Sequence, residues 1–232
     1  MMKIILRFFL LIGFGLILTF SLSSCEKSAQ KYGSHDYNDQ EEDDSLTLIG
    51  DKHFVSGYEP ITDDGKIQAI VEIPTGTLDK WEVDKETGYM KWEIRNGSPR
   101  VVQYLGYPGN YGMIPKTLLS RESGGDGDPL DVILLGSPVK RGSVVKAQLI
   151  GILKLLDGGE QDDKLIAVLD GSPFSEIATI RELNQEFAGV CDIIQTWFVN
   201  YKGPGKLESS GFGTKEEALE VLDIAIQAYS DQ

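Results

Sequence analysis

The sequence is poor in cysteine and histidine. Its 232 residues include 2 Cys and 2 His. Cys25 and Cys191 are too few to build the disulfide framework that stabilises many small exported domains. Cys191 lies within an apolar helical pattern, which predicts a buried structural thiol and not a nucleophile. His35 and His53 stand alone, so neither is expected to bind a metal ion.

Positive charge is also scarce. The chain has 22 Lys and Arg against 36 Asp and Glu, which gives a formal net charge of −14. Proteins that bind nucleic acid need an excess of cationic side chains to neutralise phosphates, so nucleic acid is not expected as a partner. A hydrophobic content of 41% over this length is enough for one domain with its own core. No internal repeat is visible.

A long hydrophobic run lies at the N-terminus, over residues 8–20. Lys3 and Arg7 precede it, as in the first part of a signal peptide. Small residues follow at 22–24, directly before Cys25, and this arrangement resembles the cleavage and lipidation site of bacterial lipoproteins. The run is short for a membrane span.

The resemblance implies that residues 1–24 are removed and that Cys25 carries a thioether-linked lipid. The protein would then be exported, anchored by its lipid at the cell envelope and exposed to the periplasm. A short uncleaved anchor and an ordinary secretory signal are the alternatives. If the signal is not used, the protein stays in the cytoplasm.

The next segment, residues 25–66, is polar and acidic, with four consecutive acidic residues at 41–44. It has no sustained hydrophobic periodicity. This composition predicts a flexible tether whose like charges keep it extended. Residues 67–232 are then predicted to form the folded domain.

The folded domain is predicted to contain strands first and helices last. Strand patterns cover residues 69–73, 80–83, 132–135, 144–156 and 165–169, with a turn at 84–88. Helical spacing relates Ile193, Ile194, Trp197, Phe198 and Tyr201, and Thr214 begins a capping box before a helix at 218–228. We therefore predict an α+β fold with a compact, mainly antiparallel, five-stranded β-barrel of the OB type and peripheral C-terminal helices.

Three carboxylates are crowded just before one predicted strand. Asp126, Asp128 and Asp131 lie within six residues, and like charges so close together favour a bound divalent cation with a preference for oxygen ligands. An EF-hand calcium loop does not fit, because Asp131 and Ser137 stand where that motif needs Gly and Glu. A solvated acidic turn is the alternative. A second acidic loop, residues 157–164, could complete a site for several metals.

Several segments together resemble the family I soluble inorganic pyrophosphatases. The most specific is the signature at residues 125–132. The others, in the same order as in the family, are residues 71–74, 80–82, 107–112, 162–165 and 201–202. The similarity extends from about residue 70 to the C-terminal helix.

The resemblance implies a magnesium-dependent enzyme of phosphate metabolism that hydrolyses pyrophosphate to two phosphates with a metal-bridged hydroxide. Asp128 would be the general base. The implied metal ligands are Asp126, Asp131, Asp157, Asp162 and Glu72, with Glu82 close behind them. The implied phosphate-binding residues are Lys80, Arg100, Tyr111, Lys164, Tyr201 and Lys202. Several Mg²⁺ ions per site are expected, and Mn²⁺, Zn²⁺ or Co²⁺ could substitute.

Some questions stay open at this point. Arg100 is preferred as the phosphate-binding arginine, because it lies closer to the family's usual separation from Tyr111, and Arg95 is the alternative. The substrate could instead be polyphosphate or another phosphoanhydride, and the chain could be a non-catalytic metal-binding lipoprotein. The resemblance also implies a homo-oligomer, either a dimer or a hexamer, and contact with a membrane only through the N-terminal lipid.

Overall fold

Strands make up most of the fold in the computed structural model, which describes residues 44–232. In chain order the strands are β1 (Thr47–Leu48), β2 (Ile67–Ile73), β3 (Trp81–Val83), β4 (Met90–Trp92), β5 (Ile94–Arg95), β6 (Ser98–Pro99), β7 (Asn110–Met113), β8 (Asp131–Leu135), β9 (Val144–Asp157), β10 (Glu160–Gln161), β11 (Lys164–Leu169) and β12 (Leu207–Gly213). The helices are α1 (Ile180–Glu186), α2 (Val190–Asn200) and α3 (Lys215–Ser230).

Five of these strands close into a barrel. The order is β9-β11-β8-β7-β2, and β2 returns to pair with the first part of β9. All neighbouring pairs are antiparallel except β8 and β11, which are parallel. The predicted α+β fold with a mainly antiparallel five-stranded barrel is therefore confirmed. The short strands β10 and β12 extend one end of β9.

The residues of β8 after Asp131 are all apolar because both faces of this strand are buried. Ile133 and Leu135 pack into a core cluster that includes residues of α2, whereas Val132 and Leu134 pack into a second cluster with residues of α3. A strand buried on one face only would alternate between apolar and polar residues.

The C-terminal helices follow the sequence prediction closely. Thr214 accepts a hydrogen bond from the Glu217 amide, and the Glu217 carboxylate accepts one from the Thr214 amide, so the predicted capping box is confirmed at the start of α3. Cys191 in α2 is buried, and burial raises the pKa of its thiol to about 11. This agrees with a structural cysteine. The patterns did not predict α1 or β12.

The prediction of a tether is wrong for residues 44–66. Strand β1 pairs with β4, and the side chains of Phe54 and Val55 are 1% and 7% exposed. A single adjacent pair of apolar residues in a mainly polar stretch gives no sustained periodic signal, so composition alone missed this packing. The signal peptide, Cys25, His35 and the tether before residue 44 lie outside the described residues. Within residues 44–232, no helix is long and apolar enough to cross a membrane.

Candidate active site

A cavity of about 680 Å³ opens at one end of the barrel. Charged side chains from the barrel strands, from the β3–β4 hairpin and from the loop before β8 line it. Its carboxylates are Glu72, Glu82, Asp84, Glu93, Asp126, Asp128, Asp131, Asp157 and Asp162, and its cations are Lys80, Lys85, Lys91, Arg100, Lys164 and Lys202. Tyr111 and Tyr201 also line it. The cavity therefore contains all the catalytic and metal-binding residues predicted from the sequence.

The centre of the site is a buried lysine between two aspartates. The parallel register of β8 and β11 sets Lys164 beside Asp131, and the Lys164 Nζ lies 2.6 Å from the Asp131 carboxylate and also contacts Asp162. The Lys164 side chain is only 3% exposed. Burial acts to lower its pKa, but the two carboxylates outweigh burial and raise the pKa, so the lysine is charged.

Glu72 and Lys80 line the same cavity. Glu72, near the end of β2, is buried, and its carboxylate accepts a hydrogen bond of 2.8 Å from the Val83 amide. Burial raises the pKa of Glu72 to about 8, although the charge of Lys80 acts in the opposite direction. The Lys80 Nζ lies 3.7 Å from Glu82 and 5.4 Å from the centre of the Tyr111 ring.

The acidic loop before β8 is tightly turned. Gly127 has φ +82°, a conformation that L side chains rarely adopt, and the Asp128 amide donates a 2.9 Å hydrogen bond to the Asp126 carboxylate. Desolvation is the main cause that raises the pKa of Asp126, with the Asp128 charge adding to it. The Asp128 side chain is 55% exposed and forms an ion pair with Lys85.

Four more of the predicted residues line the cavity, namely Asp157, Lys202, Tyr201 and Tyr111. Asp157, at the end of β9, forms an ion pair with Lys202, which follows α2. Tyr201 stacks on Trp197 at 4.6 Å between ring centres. The Tyr111 side chain is buried, and burial raises its pKa well above the ordinary value. Its hydroxyl is therefore protonated and can donate a hydrogen bond.

The two candidate arginines differ in their position and in their exposure. Arg100 lines the cavity, its side chain is 16% exposed, and its guanidinium lies 2.5 Å from Glu93. Arg95 does not line this cavity, and its side chain is 61% exposed. The position of Arg100 agrees with the preference for it over Arg95.

Sequence reasoning missed Lys85, Lys91, Asp84 and Glu93, which also line the cavity. Asp84 and Lys85 lie in a segment that the sequence predicts only as a turn, whereas Lys91 lies in β4 and Glu93 directly after it, where no strand is predicted. A charged turn has the same composition whether it faces solvent or a binding site, so the sequence held no signal for them.

The donor set of the cavity fits divalent metal ions. Within the described part of the chain, no three Asp, Glu, His or Cys side chains lie close enough together to form a ready-made metal site. However, the lining carboxylates outnumber the cations, and burial raises the pKa of Glu72, Asp126 and Asp162. Bound cations with oxygen ligands would offset both the excess of negative charge and the cost of burying it.

An OB-like barrel whose cavity is lined by carboxylates and lysines has the donors that metal ions and a polyanionic ligand would need together. Known proteins are similar to this chain in sequence and in fold. A sequence model described as inorganic pyrophosphatase matches residues 69–230. The inorganic pyrophosphatase of Corynebacterium efficiens is 35% identical over 167 residues, which span 70% of this chain and 98% of that protein.

Solved structures agree with the sequence match. The inorganic pyrophosphatase of Helicobacter pylori superimposes with a TM-score of 0.64 at 34% identity, covering 75% of this chain and 98% of that one. A truncated vacuolar soluble pyrophosphatase of Trypanosoma cruzi, in complex with PPi, gives 0.69 at 25% identity, covering 80% and 79%. The chain belongs to the inorganic pyrophosphatase family, whose members are metal-dependent.

Glu72 should make the stability of the folded protein fall as pH rises. Because burial raises its pKa from 4.5 to about 8, the folded state keeps a proton that the unfolded chain releases between these values. The stability that Glu72 contributes is complete below pH 4.5 and is lost as pH rises through about 8. One such group changes the free energy of unfolding by at most about 1.4 kcal/mol per pH unit.

The Glu72→Gln variant cannot ionise but keeps an acceptor for the Val83 amide, so its stability should decline less between pH 5 and 8. Urea denaturation at several pH values, with a chelator present, measures the free energy of unfolding. Glu220→Gln, on the exposed face of α3, is the control and should behave like the wild type. Equal slopes for wild type and Glu72→Gln would contradict the assignment.

Proposed function

We propose that this protein hydrolyses inorganic pyrophosphate to two phosphates with the help of magnesium ions. One observation carries the proposal. A single cavity brings together residues of the acidic loop at 126–131, of the second acidic loop, and the cationic residues that the family resemblance implies. The chain that forms this cavity matches 98% of the length of a named pyrophosphatase.

The carboxylates would divide into metal ligands and a base. Asp126, Asp131 and Asp162 would hold the most tightly bound ion, Asp131 would also reach a second one, and Asp157 and Glu72 would hold ions that arrive with substrate. Glu82 lies close by, with half of its side chain exposed. When bound, the metal ions lower the pKa of a coordinated water and neutralise the charge of the phosphate oxygens.

We assign the proton transfer to Asp128. It lies in the cavity on the same turn as Asp126, and about half of its side chain is exposed, so water can reach it. As general base, Asp128 would take a proton from the attacking water while a new O–P bond forms and the bridging O–P bond breaks. The leaving phosphate then carries the electron pair of the broken bond.

The cations would bind the substrate phosphates. The cationic and phenolic side chains proposed for this role are Lys80, Arg100, Lys164, Lys202, Tyr111 and Tyr201. Each of the four cations lies against at least one carboxylate. Pyrophosphate oxygens would compete for the same N–H donors, and such charge-assisted hydrogen bonds are among the stronger ones in proteins.

Replacing Asp128 by Asn should abolish phosphate release and leave the fold intact. The side chain is half exposed, so the substitution opens no buried cavity, while an amide cannot accept the proton. We expect kcat to fall by about 100-fold or more. A phosphate-release assay together with thermal unfolding measures both effects. Asp223→Asn, on the exposed face of α3, is the matched control, and unchanged turnover in Asp128→Asn would refute the assignment.

Pyrophosphate should be preferred over longer or organic phosphoanhydrides. No nucleoside-recognition feature is apparent in the sequence, and the comparison proteins are described as pyrophosphatases. With Mg²⁺ present, kcat/KM should be highest for pyrophosphate among pyrophosphate, tripolyphosphate and ATP, and a chelator should abolish turnover. A preference for either of the other two would overturn the substrate. Absence of turnover on all three would favour a non-catalytic metal-binding lipoprotein.

We also propose that the protein is exported and anchored by a lipid on Cys25, because Lys3, Arg7, the apolar run at 8–20 and the small residues at 22–24 fit a lipoprotein signal. Mass spectrometry of the protein from membranes of a host with lipoprotein processing should find an acylated Cys25 as the first residue. An intact Met1 or an unacylated Cys25 would contradict this. The homo-oligomer stays a prediction.

A further inference from the structure

The structure points to a role in the active site for residues 47–58, which precede the part of the chain matched by the family model. We infer that this segment holds the β3–β4 hairpin against the barrel and so positions the hairpin's charged side chains. The inference rests on the pyrophosphatase function proposed above. We call these residues the bracing segment.

The β3–β4 hairpin supplies one wall of the active-site cavity. Lys80 and Glu82 lie at its first strand, Lys91 at its second, and Lys85 in the turn between them. Lys85 contacts the Asp128 carboxylate and also donates a 2.8 Å hydrogen bond to the Gly127 carbonyl. The turn of the hairpin is therefore attached to the loop that carries the general base.

This hairpin is not a continuation of the barrel. Strands β3 and β4 belong to a separate three-stranded sheet with β1, in the order β1-β4-β3. A two-stranded hairpin is only marginally stable by itself in water, and it needs a third strand or an apolar surface to hold its shape. The position of the hairpin therefore depends on what covers it.

The bracing segment provides the third strand. Thr47 and Leu48 of β1 pair with Lys91 and Met90 of β4. Beyond β1, the Phe54 amide donates a 3.2 Å hydrogen bond to the carbonyl of Gly88, at the base of the turn.

The bracing segment also provides an apolar anchor. Phe54 and Val55 belong to the core cluster that contains Trp81, Val83 and Met90 of the hairpin, together with Ile70 and Met113 of the barrel. The Phe54 side chain is 1% exposed. Its removal would therefore loosen the contact between the hairpin and the barrel.

The other end of the bracing segment is fixed to the barrel. The Val55 carbonyl accepts a 2.8 Å hydrogen bond from the Lys116 amide, just after β7. Next to the segment, the Glu59 carboxylate lies 2.5 Å from the Lys116 Nζ. The segment is thus bound on one side to the hairpin and on the other to the barrel, so movement of one relative to the other must break its contacts.

Alanine substitutions within the full chain test the inference. Phe54→Ala removes the anchor, and Leu48→Ala is a milder change in β1 that serves if Phe54→Ala does not fold. Ile49→Ala is the matched control, because this neighbouring side chain is 66% exposed. Phe54→Leu keeps an apolar side chain and should restore most of the lost activity.

We expect kcat/KM for pyrophosphate to fall between about 10-fold and about 100-fold in the first two variants, at a temperature where both are folded, because small displacements of catalytic groups are costly. Amide hydrogen exchange should quicken at Asp84 and Gly88, whose amides are bonded within the turn, but not in β8 and β11. Ile49→Ala should change neither measurement.

Two results would overturn the inference. One is a lower melting temperature in the test variants with unchanged kcat/KM and unchanged exchange in the turn. The other is an equal effect of Ile49→Ala. If the wild type does not hydrolyse pyrophosphate, the proposed function fails. Amide hydrogen exchange in the turn then tests by itself whether the bracing segment holds the hairpin.

Discussion

The buried ion-pair cluster of Lys164 with Asp131 and Asp162 is the interaction on which the site depends. A charged lysine with a 3% exposed side chain is stable only because two carboxylates contact it. Both contacts follow from the only parallel strand pair within the described barrel, since the register of β8 and β11 sets Lys164 directly beside Asp131. A shift of one residue between these strands would turn Lys164 to the opposite face. The register of these two barrel strands therefore fixes the position of the lysine in the cavity.

Three further cations that line the cavity each pair with a carboxylate. Lys202 contacts Asp157, Arg100 contacts Glu93, and Lys85 contacts Asp128. Each contact neutralises charge that would otherwise be concentrated at one end of the barrel. These partly exposed pairs add little to stability. In the proposed function, these pairs would place both kinds of charge within reach of metal ions and phosphate oxygens.

The sequence predicted the parts of the fold in which local pattern and tertiary packing agree. Residues 132–135 and 165–169 are apolar on both faces and are buried strands, and the Thr214 capping box begins a helix as expected. The site residues were found because their segments resemble a known family, and the structure brings them together in one cavity. The same reasoning failed where packing depends on distant partners. Phe54 and Val55 are an adjacent apolar pair in a mainly polar stretch, and only the hairpin and barrel around them explain their burial.

Strand β1 has a consequence for the behaviour of the protein in crowded surroundings. The open edge of a β-sheet exposes unpaired N–H and C=O groups, which can pair with another chain and begin aggregation. By covering β4, the two residues of β1 replace a three-residue edge with a two-residue one. A short edge is a common natural protection against such pairing. The same residues thus leave only a two-residue edge on this side of the sheet with which a neighbouring copy could pair.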